Sequence, residues 1–227
     1  LAQHSRSCGA PVSLAVGIQF MSAEDWFRNR DWNDKIEAAF YEKLRRARRK
    51  EQYLRIQACI LADSCPKVAL KLLDEYFELK DDFDHAQAYV DQATAYLALG
   101  DVEQALDSYE RALLREDEFP NLLTNAYIDL PFLVAIHGIK KLYPRALDLL
   151  GKHEDRLMFP VHYFWWHASK ALIYSDLGDI ARSRDHAEKA FEAAKKDNSG
   201  FRYPPTVGLV GDTHIELREQ LHALSNA

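Results

Sequence analysis

The sequence predicts an all-α protein assembled from repeated helical hairpins, and three observations carry that prediction. Apolar residues recur at helical spacing from about Ser22 onward. Strand signals are nearly absent, with no long alternating β-branched run and no Asn-Gly or Asp-Gly hairpin turn. The string Ala-x-x-Tyr-x-x-Leu-Gly-Asp occurs twice, at Ala93 to Asp101 and at Ala171 to Asp179.

Residues Leu1 to Phe20 carry Ser, Gly and Pro without helical period. They are expected to be an extension outside the fold (residues 1–20), with a natural start near Met21 and a single domain over 21–227. The first helix falls within Asp34 to Arg48, where Ile36, Phe40, Leu44 and Ala47 make one apolar stripe. Asp34 with Glu37 three residues on reads as its capping box. Leu54, Ala58 and Leu61 mark a second helix. Pro66 fits the first turn of a third, where its missing N–H costs nothing, and Val68, Ala69, Leu72, Leu73 and Tyr76 continue it on one face.

The best-defined hairpin spans Ala86 to about Asp117. Its first helix carries Ala93, Tyr96, Leu97 and Leu99 before Gly100-Asp101, and its second carries Ala105, Tyr109 and Ala112. The second copy gives Ala171, Tyr174 and Leu177 before Gly178-Asp179, then Ser183, Ala187, Ala190 and Phe191. Glycine suits the turn because the backbone there needs a conformation that costs other residues energy. Alanines let two helix backbones approach closely. Ala69 and Ala146 can play the part of Ala105 in weaker repeats, which puts the anchors Ala69, Ala105, Ala146 and Ser183 at intervals of 36, 41 and 37 residues. Phe119-Pro120 and Phe159-Pro160 echo each other at an interval of 40, each ahead of a first helix. Asn198 to Gly211, with Pro204 and Pro205, reads as a loop. Thr213 with Glu216 reads as a capping box for a last helix striped by Leu217, Leu221 and Leu224.

Composition excludes several classes. The hydrophobic fraction is 48% and the charged fraction 28%, an ordinary globular balance. The net charge of −6 disfavours general nucleic-acid binding, because affinity for phosphate comes mostly from cations. Leu130 to Ile136 is far too short an apolar run to span a bilayer. Cys8, Cys59 and Cys65 are too few and odd for a disulfide framework, so a reducing, cytoplasmic setting is expected, with Cys59 a small buried thiol.

Candidate chemistry is sparse. Gly208-Leu-Val-Gly211 ahead of a helix has the look of an anion loop but lacks the spacing and lysine of a phosphate-binding loop, and reads as a loop plus a cap. His162 and His167 fall on different faces of one helix, and no histidine pair at metal-ligand spacing has carboxylates nearby, so no metal or cofactor is expected. Neither a Gly-x-Ser-x-Gly elbow nor a Cys–His signature is present, and no catalytic residue is assigned. Lys43, Arg45, Arg46, Arg48, Arg49 and Lys50 form a basic cluster at a helix end. It reads as a solvated cationic turn, or as a docking patch for an acidic partner or phosphate backbone. Of the dense aromatic run Phe159, Tyr163, Phe164, Trp165 and Trp166, one face cannot bury every member, which leaves Trp165 or Trp166 as an exposed anchor.

In the placing of Ala93, Tyr96, Gly100, Ala105, Tyr109 and Ala112, the sequence resembles the tetratricopeptide repeat (TPR) family. The resemblance implies a TPR-like, right-handed helical-hairpin solenoid with a C-terminal capping helix. It also implies a concave surface made by first-helix positions not used in packing. These are Gln87, Asp91 and Thr94 in one repeat and Trp165, Ser169 and Asp176 in the other, with Arg55 contributing from the earliest. The Asn/Lys set by which chaperone-docking members clamp a carboxylate terminus is missing. The function implied is a non-enzymatic scaffold that holds a protein or peptide partner in its groove, as a regulatory adaptor or an antidote-type protein that masks a toxin. A nucleic-acid or phospholigand regulator working through residues 43–50 is the alternative, and an enzyme with a site in the groove ranks last.

Overall fold

The computed structural model describes residues 25–79, 84–211 and 214–226, and over these the chain forms ten α-helices and two short 3-10 turns with no strand. The expected N-terminal extension lies outside the described residues, as does Thr213. The chain divides into two compact units with the boundary after Ala126. The N-terminal unit holds α1 (Asp34–Arg46), α2 (Lys50–Leu61), α3 (Pro66–Phe77), α4 (His85–Ala98) and α5 (Val102–Glu118). The C-terminal unit holds α6 (Ala126–Ile136), a 3-10 turn (Lys140–Leu142) and α7 (Tyr143–Lys152). A second 3-10 turn (Glu154–Arg156), α8 (Pro160–Asp176), α9 (Ile180–Ala194) and α10 (Ile215–Ser225) follow.

In the N-terminal unit the expected stripes are the core. Phe40 and Leu44 of α1, Leu54, Ala58 and Leu61 of α2, and Ala69, Leu72, Leu73 and Tyr76 of α3 are all buried in one cluster with Ala88 and Ala95 of α4. Trp26 seals it at one end, 4.8 Å from Tyr53 and 5.4 Å from Phe40 between ring centres. Each fully buried leucine or phenylalanine contributes about 2 kcal/mol by leaving water. In α5, Ala105 and Ala112 have no exposure, which lets α5 lie directly on α4. The Ser108 hydroxyl bridges the two helices, donating to the Gln104 carbonyl at 2.8 Å and lying 3.2 Å from Gln92 Oε1.

The C-terminal unit repeats the device. Ala171 of α8 and Ala187 and Ala190 of α9 have no exposure, and Ser183 donates to the Ala171 carbonyl at 2.9 Å. Trp166 is buried and its indole N–H donates to Leu150 O at 2.8 Å, tying α8 to α7. Helix α10 packs against α9 and α8 through Leu217 and Leu221. The loop 198–211 folds back on the start of α8. Gly208 sits so close to Phe159 that a Cβ there would come within 2.5 Å of the ring's own Cβ, and its carbonyl accepts the Val161 N–H at 2.8 Å. Gly208 therefore serves packing and accepts an N–H at the start of α8.

The turns explain the repeated string. Gly100 and Gly178 have φ of +78° and +79°. Behind each, the aspartate N–H reaches back to the tyrosine carbonyl at 2.9 Å (Asp101 to Tyr96, Asp179 to Tyr174), and the glycine N–H bonds a nearer carbonyl at 3.0 Å. This pattern satisfies the last carbonyls of the first helix. The same aspartate then caps the next helix, Asp101 accepting from the Gln104 N–H at 3.1 Å and Asp179 from the Arg182 N–H at 3.0 Å. Gly138 after α6 makes the same turn, with φ of +60° and Ile139 N–H bonded to Val134 O at 3.0 Å, but lacks the aspartate.

Three expectations need correction. The cap of α1 is Asn33, whose side chain accepts from the Lys35 and Ile36 N–H groups, rather than Asp34, which lies in the first turn. The residue before α10 is His214, in left-handed backbone without a side-chain cap. Phe159-Pro160 does open α8 directly, but Phe119-Pro120 lies in a turn well ahead of α6.

Replacing Gly178 by alanine should lower stability by about 1–2 kcal/mol, because its backbone is left-handed. Gly151→Ala, within α7 and with open space around the new Cβ, should raise it by about 0.5–1 kcal/mol. Urea titrations of the two variants check the pair; equal effects would contradict the turn assignment.

Candidate functional site

The residues expected on first-helix faces fall into two local arrangements, one in each unit. In the N-terminal unit, Arg55 on α2 reaches α4. Its Nη1 lies 3.2 Å from Asp91 Oδ2, and its Nε lies 3.2 Å from Asp84 Oδ2. Gln87, one turn before Asp91, donates to Asp91 Oδ1 at 3.1 Å. Asp91 is only 4% exposed. Burial pushes its carboxyl up to about 6, and Arg55 and Gln87 hold it down from going further. Asp91 is therefore a buried charge that orders the face rather than a group offered to solvent. Thr94, half-buried, turns its hydroxyl to the Val90 carbonyl at 3.1 Å.

Beside this network lies an open cleft of about 460 Å³ lined by Arg49, Glu51, Gln52, Arg55, Tyr76 and Asp84. Of the basic cluster, Arg49 lines it. Lys43, Arg45, Arg46, Arg48, Arg49 and Lys50 are all exposed, at the end of α1 and the start of α2, and Arg46 pairs with Glu42 at 3.2 Å. Cys59 departs from expectation: the residue is exposed rather than buried. It lies at the outer edge of α2, where its thiol bonds Asp91; low-polarity surroundings and that carboxylate push it up to about 12.

In the C-terminal unit, Trp165 is the partly exposed tryptophan of the run and Trp166 the buried one. The Trp165 ring stacks on Phe132 of α6, centres 5.8 Å apart and planes 21° apart, and meets His214 edge-on at 6.0 Å. Its indole N–H finds no acceptor among the described residues. Ser169 is fully buried, its hydroxyl bonded to the Trp165 carbonyl at 2.7 Å. Asp176, exposed at the end of α8, accepts the Tyr143 hydroxyl, and the Gly138 turn lies against it. His162 and His167 are indeed separated. His162 stands edge-on to Phe159, whereas His167 Nδ1 lies 2.9 Å from His186 Nδ1, and burial drives both rings of that pair to about 4. No third ligating group joins them among the described residues.

Sequence reasoning missed Asp129 on α6. Burial alone pushes its carboxyl up to about 7, and no charge or hydrogen bond opposes the shift among the described residues. The signal that finds it is the glycine spacing. Gly100, Gly138 and Gly178 end three first helices alike, and nine residues before each stand Asp91, Asp129 and Ser169.

Comparison with protein-family models matches the tetratricopeptide repeat at residues 86–118 and 167–197, which cover α4–α5 and most of α8–α9. With the helical hairpins and their shared turns, these matches support a TPR-like repeat protein. The searches of curated proteins and of solved structures give no match. Tetratricopeptide repeats generally mediate protein–protein interaction and are typically non-enzymatic scaffolds. No helix among the described residues is long and apolar enough to cross a membrane.

Two outcomes follow from the buried carboxylates. Arg55→Ala should cost about 3 kcal/mol, because it strands Asp91 without its cation; a loss under about 1 kcal/mol in chemical denaturation would contradict that. Asp129 has a folded pKa raised above its unfolded one, so its own contribution to stability is full below about pH 4 and is lost as pH rises toward 7. Asp129→Asn should remove that fall, gaining on wild type by roughly 3 kcal/mol between pH 4 and pH 7 and no more above it. Urea midpoints measured across that range check the sign.

Proposed function

We propose that the protein is a non-catalytic adaptor whose first-helix faces hold a peptide or protein partner. The observation that supports this reading is the division of labour between paired helices. The second helices bury completely the small residues at their contacts, Ala105 and Ala112 in α5 and Ala187 and Ala190 in α9. The first helices keep polar and aromatic side chains in contact with water: Gln87 and Thr94 on α4, Asp129 and Phe132 on α6, Trp165 and Asp176 on α8. Arg55, Gln87, Thr94, Trp165 and Asp176 are the contact residues, whereas Asp91 and Ser169 shape the face from beneath. A partly exposed tryptophan beside hydrogen-bonding groups suits a segment anchored by one apolar side chain and aligned by polar contacts. An adaptor or an antidote that masks another protein would both work this way.

A second reading rests on the basic cluster. Lys43, Arg45, Arg48, Arg49 and Lys50 are exposed and make no ion pair among the described residues. If they bind phosphate, affinity for RNA or DNA falls steeply with salt and is lost when Arg45, Arg48 and Arg49 are neutralised together.

Trp165→Ala should reduce retention of partners from cell extract on the immobilised protein by about tenfold or more, as loss of an anchor does, compared at a temperature where circular dichroism shows the variant still folded. Gln87→Ala with Thr94→Ala should reduce it less. Unchanged capture by folded Trp165→Ala protein would remove the assignment.

A further inference from the structure

Asp91 and Asp129 occupy the same place on two first helices, nine residues before a turn glycine. At Asp91 the carboxylate is met by a guanidinium, Arg55, and by the Gln87 amide. At Asp129 neither a cation nor a hydrogen-bond donor arrives from the described residues, and burial alone pushes the carboxyl up to about 7. A half-buried acid without a partner is costly, and the repeat that holds Asp91 shows the chemistry that relieves it.

Asp129 is half-buried, so a group from outside can reach its side chain. Within α6 every residue is buried except Asp129, Phe132 and Ile136. These are three and four apart and so lie on one face. Phe132, one turn from Asp129 on the same face, is part-exposed and stacks with one side of its ring on Trp165. One carboxylate next to aromatic faces suits a planar cation that can pair with the acid and lie against a ring. A metal ion would need more ligands than this face offers.

We propose that Asp129, Phe132 and Trp165 form a receptor for an arginine side chain of a partner protein. The proposal rests on the reading that first-helix faces bind protein, and names the chemistry one of them selects. The incoming guanidinium does for Asp129 what Arg55 does for Asp91, with its plane against the outer side of the Phe132 ring, which Trp165 holds from behind, in place of a second carboxylate. The net charge of −6 favours the approach of a basic segment.

N-acetyl-arginine amide is the probe, titrated to about 50 mM because one side chain binds only in the millimolar range. Isotope-labelled full-length protein reports the Trp165 indole N–H and the Asp129 carboxyl carbon by NMR. Saturable shifts at both are expected, with the Asp129 pKa lowered by a unit or more. N-acetyl-citrulline amide, which has the shape without the charge, should leave both unmoved, and Asp129→Asn should abolish the response to arginine while the protein stays folded. No response, an equal response to citrulline, or a response that survives in Asp129→Asn overturns the site. Equal binding of N-acetyl-lysine amide overturns the choice of guanidinium. If partner capture depends on Trp165 while the arginine probe is silent, the cation site fails and the adaptor reading remains.

Discussion

A helix that must reverse direction within two residues leaves carbonyls at its end and N–H groups at the start of the next, and the structure depends on how those groups are satisfied. Glycine at positions 100, 138 and 178 takes left-handed backbone at each reversal. The following N–H reaches back across the last turn in all three. Where an aspartate follows, it serves both helices at once: its N–H closes the first and its carboxylate opens the second. With the reversal fixed, the partner helix meets the first at a set place, and alanines and serines at the contact become requirements of close approach. Ala105, Ala112, Ala187 and Ala190 have no exposure for this reason, and Ser108 and Ser183 turn their hydroxyls to main-chain carbonyls that larger residues would push away.

The candidate contact residues lie on α2 and on the first helices of the hairpins. In the N-terminal unit the face is already neutralised, with Arg55 between Asp84 and Asp91. In the C-terminal unit the equivalent carboxyl, Asp129, has no cation among the described residues. Two repeats with the same backbone turn thus present different chemistry: one is internally paired, and the other is not.

Much of this was legible in the sequence because it follows from spacing. The stripes of α1, α2 and α3, Pro66 at a helix start, and the Gly-Asp turns depend on local periodicity and backbone sterics, which a single chain displays. The repeat formed by α6 was not legible in the same way. Its helix is apolar on nearly every side, so no stripe stands out. Pro131 lies inside it, and Ile139 replaces the aspartate that made the other turns recognisable. Site residues were legible as positions but not as states. Asp91 and Ser169 were placed on the right helices, yet contacts from residues far along the chain decide that they are buried. Cys59 shows the converse, an apolar neighbourhood in sequence with an exposed place on the helix.

The central claim is that three equivalent turns, with glycine in left-handed backbone and a bond closing back over the helix end, define the hairpins. Amide hydrogen exchange at single-residue resolution tests it most directly. The Asp101, Ile139 and Asp179 N–H groups should exchange far more slowly than unfolded-chain rates, and Asp101 and Asp179 should be protected alike despite lying in different units. Free exchange at these three amides, within helices that are otherwise protected, would contradict the account.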